Sequence, residues 1–313
     1  EARYFFVVRT EGEVREAVRF AQAERLPFFV LGGGSNIIFA DEGFLGVVIK
    51  VEIPGIVFEE NHENVIARVG AGVLWDEVVR ESTKRGLWGI ENLSAIPGTA
   101  GASAVQNIGA YGVEAKDTIE WVRVYNTGKD EFVTLTHKEC TFGYRTSIFK
   151  EDADEKFVIV EVAFRLAKAG TPELGYRDLI EHFSGQANEM ISARYVREAV
   201  VAIRTRKLPN PEVLPNTVSF FKNPVISEEL YEEVQKVFPG IPGHRTEEGV
   251  KVPAAWIIEQ LGWKGIRRGD AGVTKEHALV IANYGNAFAR EIKMLAEEIQ
   301  KDVFARTRIK LFC

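Results

Sequence analysis

The stretch SAIPGTAGASAVQNIGAYG, Ser94 to Gly112, decides how the rest of the chain is read. It holds four glycines, five alanines and two serines in nineteen residues, and no Asp, Glu, Lys or Arg. A solvated loop would carry charge, and a core helix would carry Leu and Ile at helical spacing; this stretch does neither. Small residues let backbone N–H groups come close to a ligand and adopt positive φ where a turn needs it. Successive N–H groups in such turns form concave nests for anions, phosphates above all. Composition alone leaves two readings: the wall of a pocket for a large phosphorylated ligand, or a tightly packed turn between buried elements.

Upstream, Val14, Ala17, Val18 and Ala21 repeat at helical spacing between Glu11 and Arg25, and Pro27 is expected to end that helix. Phe28 to Leu31 reads as a short buried strand, followed at once by Gly32-Gly33-Gly34-Ser35-Asn36. With Ile37–Phe39 and Val47–Val51 as the next strand candidates, this predicts a β–turn–β layout around three glycines. It is neither a P-loop, since no Gly-Lys-Ser/Thr follows, nor a dinucleotide GxGxxG turn, since position 37 is Ile. The turn still has N–H donors to offer a pyrophosphate; its other reading is a plain hairpin turn.

Val65–Val69 reads as a strand, and Trp75, Val78, Val79 and Ser82 mark one face of a helix ending at Gly86. Ile119–Tyr125 and Phe132–Leu135 flank an Asn-Thr-Gly-Lys turn, a hairpin signal, and Phe157–Leu166 is apolar enough for a buried strand. Ala193–Arg206 is a helix with Val196, Ala199, Val200 and Ile203 inward, and Leu208-Pro209-Asn210-Pro211 breaks the chain after it. Beyond that joint, Ser227 is placed to cap a helix over Glu228–Val237, and Gly240–Gly249 reads as a loop. Pro253 opens a helix ending at Gly262, and Leu279–Ala282 is a strand. Phe288, Ile292, Leu295, Ile299 and Val303 line a long helix, and Ile309–Phe312 begins a last strand. The pattern is α+β.

Composition bounds the function. The 313 residues suggest two domains; 46% are apolar, enough for a large core, and net charge is −6. An acidic chain is not the footprint of nucleic-acid or anionic-membrane binding. No apolar run is long enough to span a bilayer. Cys140 and Cys313 give no disulfide framework, so a reducing cytoplasm is the default, and Cys140 reads as a small buried hydrophobe. The five scattered His form no HExxH, and no CxxC occurs, so no metal site is expected. The opening Glu-Ala-Arg, without Met, points to a processed, trimmed or partial chain.

Taken in order, LGGGSN, Gly70–Gly72, ENLSAIPGTAGASAVQNIGAYG, CTFGYRTSIFK, LGYRDL, RTRKLPNP, SFFKNP, KVPAAWIIEQLGWKG and EHALVIAN span nearly the whole chain. Together they resemble the UDP-N-acetylenolpyruvoylglucosamine reductases, the flavoenzymes of peptidoglycan precursor synthesis, and Tyr176 resembles the subgroup with an extra tyrosine loop over the substrate. The resemblance implies a two-lobed FAD-binding domain of the vanillyl-alcohol-oxidase type over residues 1–204, with lobes of about 1–53 and 54–204. It implies a smaller α+β substrate domain over 205–313, its final strand cut short. The FAD is expected against Gly32, Gly33, Gly34, Ser35 and Asn36 and against Pro97, Gly98, Gly101, Ala102, Ser103, Ile108 and Gly109. NADPH is the implied hydride donor, and a sugar nucleotide the implied substrate of a cytoplasmic monomer with neither nucleic-acid nor membrane-inserting partners.

The implied reaction delivers hydride to the methylene carbon of an enol ether, so negative charge builds at the neighbouring carbon and its carboxylate. Arg145 matches the position that holds this charge; a guanidinium is permanently cationic and binds two oxygens at once. Ser219 matches the proton donor. Tyr111, Tyr176, Lys207, Asn223 and Lys251 match substrate contacts, the lysines suiting a diphosphate. Two departures stand out. The family has Gly before the serine where this chain has Val218, a strained choice if that position needs positive φ. The family's terminal Glu has no match, since Phe312 and Cys313 stand where it is expected, and the family's opening threonine is missing before Glu1. The alternative is therefore a flavin-binding protein with impaired or lost catalysis. A flavin oxidase is a third reading, disfavoured because no His or Cys sits in a flavin-linking context.

Overall fold

The computed structural model describes residues 1–151 and 157–313. The chain divides into two units, one of Glu1–Ile37 with Glu42–Arg204, the other of Ile38–Asp41 with Thr205–Cys313.

The first unit begins with β1 (Ala2–Val8), α1 (Glu11–Ala23), β2 (Phe28–Leu31) and β3 (Phe44–Val51). Thr10 caps α1, its Oγ1 accepting the Glu13 N–H at 3.2 Å. Val14, Ala17, Val18 and Ala21 fall on one helical face and are buried with Val8, Val47 and Ile49. Each fully buried valine contributes roughly 1.5–3 kcal/mol. The helix ends at Ala23, before Pro27, because Arg25 turns the chain at φ 52°.

Both β1 and β2 pair in parallel with β3, giving the order β1-β3-β2. This corrects the expected β–turn–β layout. A parallel pair needs a crossover, not a hairpin, so residues 32–43 form a long connection. Ile37–Phe39 is not a strand, and its three side chains are exposed.

The unit continues with β4 (Ile56–Glu60), β5 (Asn64–Gly70), α2 (Trp75–Lys84), α3 (Ala100–Val105), β6 (Gly109–Ala110), β7 (Val113–Glu114), β8 (Ile119–Asn126) and β9 (Glu131–Thr136). Then come α4 (Ile148–Glu151), β10 (Phe157–Ala167), α5 (Arg177–His182) and α6 (Ala193–Lys207), within which the unit boundary falls. The large sheet is antiparallel with order β4-β5-β10-β8-β9. Central β10 is largely buried, with Val158, Val160, Val162, Phe164 and Leu166 on its fully covered face and Glu161 and Arg165 on the other. Asn126 shapes the β8–β9 turn, its Oδ1 accepting the Gly128 and Lys129 N–H groups.

The Gly- and Ala-rich stretch does hold a helix, α3. It uses small residues because it presses on the sheet: a Cβ on Gly101 would lie 2.8 Å from the Ala71 Cβ. The packed-turn reading is therefore right for α3's inner face. Leu179, Phe183, Ile191, Val196, Ala199, Val200 and Ile203 form a satellite core, with Tyr111 and Leu174 against it.

The second unit holds β11 (Val225–Ile226), α7 (Glu228–Val237), β12 (His244–Thr246), β13 (Gly249–Lys251), α8 (Ala254–Gln260), β14 (Arg267–Arg268), β15 (Ala271–Val273), β16 (Ile281–Asn283) and α9 (Ala289–Thr307). Its two small sheets run β11-β13-β12 and β14-β15-β16. Ser227 caps α7. The Asp41 carboxylate accepts the Ala289 and Arg290 N–H groups at the start of α9, where negative charge is favourable. Three expectations shift. The loop Gly240–Gly249 contains β12, the strand expected at Leu279 starts at Ile281, and Ile309–Phe312 forms no strand. That last segment is held by the burial of Ile309 and Leu311 and by bonds from Gln300 Nε2 to Leu311 O and from Lys222 N to Phe312 O. Among the described residues no helix is long and apolar enough to cross a membrane.

Candidate functional site

The connection after β2 and the loop into α3 meet in a narrow cleft of about 70 Å³. Gly32, Gly33, Gly34, Ser35 and Asn36 line one side; Pro97, Ala102, Ser103 and Ile108 line the other. Trp75, Thr99, Gln106 and Ile37 complete the lining, four residues that sequence reasoning passed over. The two loops touch through glycines. A Cβ on Gly33 would lie 3.2 Å from the Gly98 Cα, and one on Gly98, at φ 118°, would lie 3.2 Å from the Ser35 Oγ.

The donors in this cleft are unequal. Among the described residues, the backbone N–H groups of Gly33, Gly34, Ser35 and Asn36 donate to no protein acceptor. The first amides of α3 are already used: Ala100 N to Val73 O at 2.8 Å, Gly101 N to Ala71 O at 3.0 Å, Ala102 N to Thr99 Oγ1 at 3.4 Å, and Ser103 N to Thr99 O at 2.9 Å. Four adjacent open amides suit a phosphate or pyrophosphate, whereas α3 serves as a wall. Gly101 packs α3 on the sheet, and Gly109 lies instead beside Arg145. A larger hollow of about 690 Å³ lies over the sheet near Trp121. Its charges are matched pairwise, Arg68 with Glu59 and Glu161, Arg123 with Glu11.

Strands β6 and β7 form a two-residue hairpin with Tyr111 (φ 49°) and Gly112 (φ 85°) at its tip, the left-handed pair that such tight turns require. At its base lies Arg145, itself at φ 57°. Its Nη1 donates to Asn107 O at 3.0 Å, its Nη2 donates to Gly109 O, and its Nη1 lies 3.6 Å from Glu114 Oε1. Its Nε has no protein acceptor among the described residues, so one edge of the guanidinium keeps an unused donor.

The Tyr111 ring meets the half-exposed Tyr176 ring edge-on, centroids 5.6 Å apart. Asn92 links their loops, its Nδ2 donating to Tyr111 O and to Glu173 O, both at 2.8 Å. Burial pushes the Tyr111 phenol up, against the pull of hydrogen-bonded Arg204, whose guanidinium burial lowers. Burial alone would raise Asp76, but Arg197, bound at 2.6 and 2.7 Å, and the Ala95 N–H hold its carboxyl below the usual range. Asp76 and Arg197 are polar supports that no sequence pattern marked, and Asn92 and Arg204 lie in quoted blocks that give them no role. Cys140 is fully buried and its thiol is pushed up to about 12 by burial, an inert position.

In the second unit, Ser219 lies in a bulge. The Thr217 N–H bonds Ile281 O and the Phe220 N–H bonds Leu279 O, both at 3.0 Å. Beyond the isolated antiparallel bridge of Asn216 with Ala282, three residue steps on this segment thus span two on its partner, as in a bulge. The residue that absorbs the excess is Val218, at φ 54°, with its N–H held by Asn216 Oδ1 at 2.9 Å. Ser219 is exposed, and its hydroxyl has no protein partner among the described residues. Asn223 Oδ1 accepts the Ala254 N–H at 3.0 Å and so caps α8, leaving its Nδ2 for a ligand. Lys251 stands close by in sequence register, since β13 pairs it with Val225. Lys207 is half-buried at the end of α6. Among the described residues no His, Cys, Asp and Glu cluster forms a metal-binding group.

The chain is similar to known proteins along nearly its whole length. A family model described as an FAD binding domain matches residues 2–136. A second, described as the C-terminal domain of UDP-N-acetylenolpyruvoylglucosamine reductase, matches residues 210–313. The chain is 42% identical to the UDP-N-acetylenolpyruvoylglucosamine reductase of Neisseria gonorrhoeae over 99% of its own length and 90% of that protein's. It is 40% identical to that of Ralstonia nicotianae, over 99% and 92%. A crystal structure of the reductase from Thermus caldophilus superposes with a TM-score of 0.66 at 25% identity, over 95% of this chain and 88% of that one.

Proposed function

The chain belongs to the UDP-N-acetylenolpyruvoylglucosamine reductase family of FAD-dependent oxidoreductases, and on that premise we propose that it reduces the enolpyruvyl group of UDP-N-acetylglucosamine-enolpyruvate with NADPH, to give UDP-N-acetylmuramate for peptidoglycan precursor synthesis. The comparisons lend no support to a catalytically silent flavin protein. A flavin supplies hydride relay between a reduced nicotinamide and the enol ether. The open amides of Gly33–Asn36 are the chain's means of holding its pyrophosphate, with Pro97, Gly98, Ala102, Ser103 and Ile108 as the facing wall.

The observation that carries the substrate reading is the free edge of Arg145. A half-buried guanidinium already fixed by two carbonyls is a preorganised donor for a carboxylate. Charge that develops on the enolpyruvyl carboxylate and the adjoining carbon strengthens that contact, so it favours the transition state over the bound substrate. Ser219 delivers the proton to that carbon and regains it from solvent. A hydroxyl is a weak acid, so the step relies on the carbon's own developing basicity. Tyr111 and Tyr176 form an aromatic wall for the sugar nucleotide. Lys207, Lys251 and the Asn223 Nδ2 hold its polar groups.

The test is an anaerobic visible spectrum of the FAD-loaded protein, titrated with NADPH and then with the enolpyruvyl sugar nucleotide. Bleaching followed by full recovery of the flavin's visible band is expected. Bleaching without recovery would sink the substrate assignment and leave the cofactor. Failure to retain FAD would sink the cradle assignment.

A further inference from the structure

The surroundings of Arg145 carry a second function for a neighbouring carboxylate. We propose that Glu114, clamped by Asn107 and Lys116, is a positioning residue that fixes the direction of the Arg145 guanidinium and so sets how its free edge meets the substrate carboxylate. The proposal rests on the assignment of Arg145 given above.

A guanidinium has five N–H donors. Two go to the Asn107 and Gly109 carbonyls, which set the plane of the group but supply no full charge. Glu114 Oε1 stands 3.6 Å from Nη1, an ion-pair distance but not a hydrogen bond. It attracts the cation without using a donor. The carboxylate is kept from swinging onto the free edge, because its Oε2 accepts from Asn107 Nδ2 at 3.0 Å and lies 2.9 Å from Lys116 Nζ.

Asn107 ties the arrangement together. It is fully buried at φ 44°, its Oδ1 accepts the Lys116 N–H at 2.9 Å, and its Nδ2 also donates to Gly143 O at 2.8 Å, two residues from Arg145. Gly109 leaves room for the contact: a Cβ there would lie 2.6 Å from the Arg145 Nη1 and 3.0 Å from the Glu114 Cγ. Two non-glycine residues in the left-handed region, Asn107 and Arg145, face each other across this seat. Such strain persists only where surrounding bonds over-determine the conformation.

The test is a double-mutant cycle of Glu114→Gln and Arg145→Gln in the FAD-loaded protein. The first readout is the ratio of affinities for UDP-N-acetylglucosamine-enolpyruvate and for UDP-N-acetylglucosamine, which lacks the carboxylate. The second is the rate at which substrate reoxidises the reduced flavin. For Glu114→Gln the ratio should fall about tenfold and reoxidation about 10–100-fold, the scale of a sub-ångström to 1 Å misplacement, with reduction by NADPH unchanged within about twofold. The double variant should be no worse than Arg145→Gln alone.

If Glu114→Gln keeps the wild-type ratio while Arg145→Gln loses it, or if the two effects add, the positioning assignment falls and the role of Arg145 stands. If Arg145→Gln itself keeps ratio and rate, the functional reading of Arg145 falls instead. Should Glu114→Gln fail to retain FAD, Lys116→Met on the outer side of the clamp takes its place, with a several-fold drop in the ratio expected and no drop overturning the proposal.

Discussion

Val218 offers a sharp test of the bulge that carries Ser219. Its φ of 54° puts a β-branched side chain where glycine is at ease. A Cβ in that region costs about 1–2 kcal/mol. Replacing Val218 by Gly removes this strain but also removes a half-buried side chain, so Val218→Gly alone mixes two effects. Val218→Ala loses nearly the same packing and keeps the Cβ. The difference between the two variants isolates the backbone.

At an ordinary extended or helical position Gly is less stable than Ala by roughly 0.5–1 kcal/mol. Here the order should reverse, with Gly ahead by about 0.5–1 kcal/mol once that entropy is subtracted from the strain. With a slope of about 2 kcal/mol/M in urea, the Gly variant should unfold about 0.25–0.5 M later than the Ala variant. Trp256 and Trp263 lie in the second unit, with Trp263 tied to Asp302 at 2.8 Å, and the other three tryptophans lie in the first unit, so fluorescence of variants in which Trp75, Trp88 and Trp121 are replaced by Phe reports on the right part of the molecule. The Gly variant should also reoxidise with substrate at least as fast as the parent. An Ala variant as stable as the Gly variant, or more so, would refute the left-handed conformation, and with it the account of how Ser219 is aimed.

Three further outcomes follow from the site. Gly33→Ala places a Cβ 3.2 Å from the Gly98 Cα and parts the two loops; FAD affinity, read by fluorescence titration, should drop about tenfold, 1.4 kcal/mol, with little change in the fold. The Asp76 carboxyl sits below its ordinary value of 3.8, so its stabilising effect is complete above that value and is lost as pH falls through the lowered folded value. Asp76→Asn should therefore be less stable than the parent at pH 6 in denaturant melts, with the gap closing below pH 3.8. A thiol reagent at pH 8 should titrate Cys313, which is exposed, and spare Cys140, whose thiol is pushed up to about 12, until denaturant is added; two fast thiols in the native protein would contradict the burial of Cys140.

The helices were legible from their periodicity: α1, α2, α6 and α9 lie where the apolar spacing puts them. The β2–β3 connection was not. Parallel and antiparallel pairing place the same apolar residues in the same two strands, and only the partner's direction tells them apart. The helix inside the Gly- and Ala-rich stretch was hidden for a different reason. It is selected for thinness against Ala71, so it lacks the large residues that make a helix visible. At the site, the residues proposed to meet ligands carry motif signals. Their supports are harder to read: Asn92 and Asn107 lie inside a quoted block that gives them no role, and Glu114, Asp76 and Asn216 are ordinary polar residues; the partners lie 2 to 121 positions away, and one sequence does not encode such pairings in any local pattern.

The strand order β4-β5-β10-β8-β9 has a consequence for how the chain is made. The middle strand is the last of the five to leave the ribosome. Until Phe157–Ala167 has emerged, the sheet exists only as two separate hairpins, β4–β5 and β8–β9, each with bare edges and each too small to be stable alone. Those edges are competent to pair with any other chain nearby. The arrival of β10 joins both hairpins at once, so this part of the fold should appear abruptly during synthesis, and nascent chains stalled just before residue 157 should be the ones most in need of a chaperone.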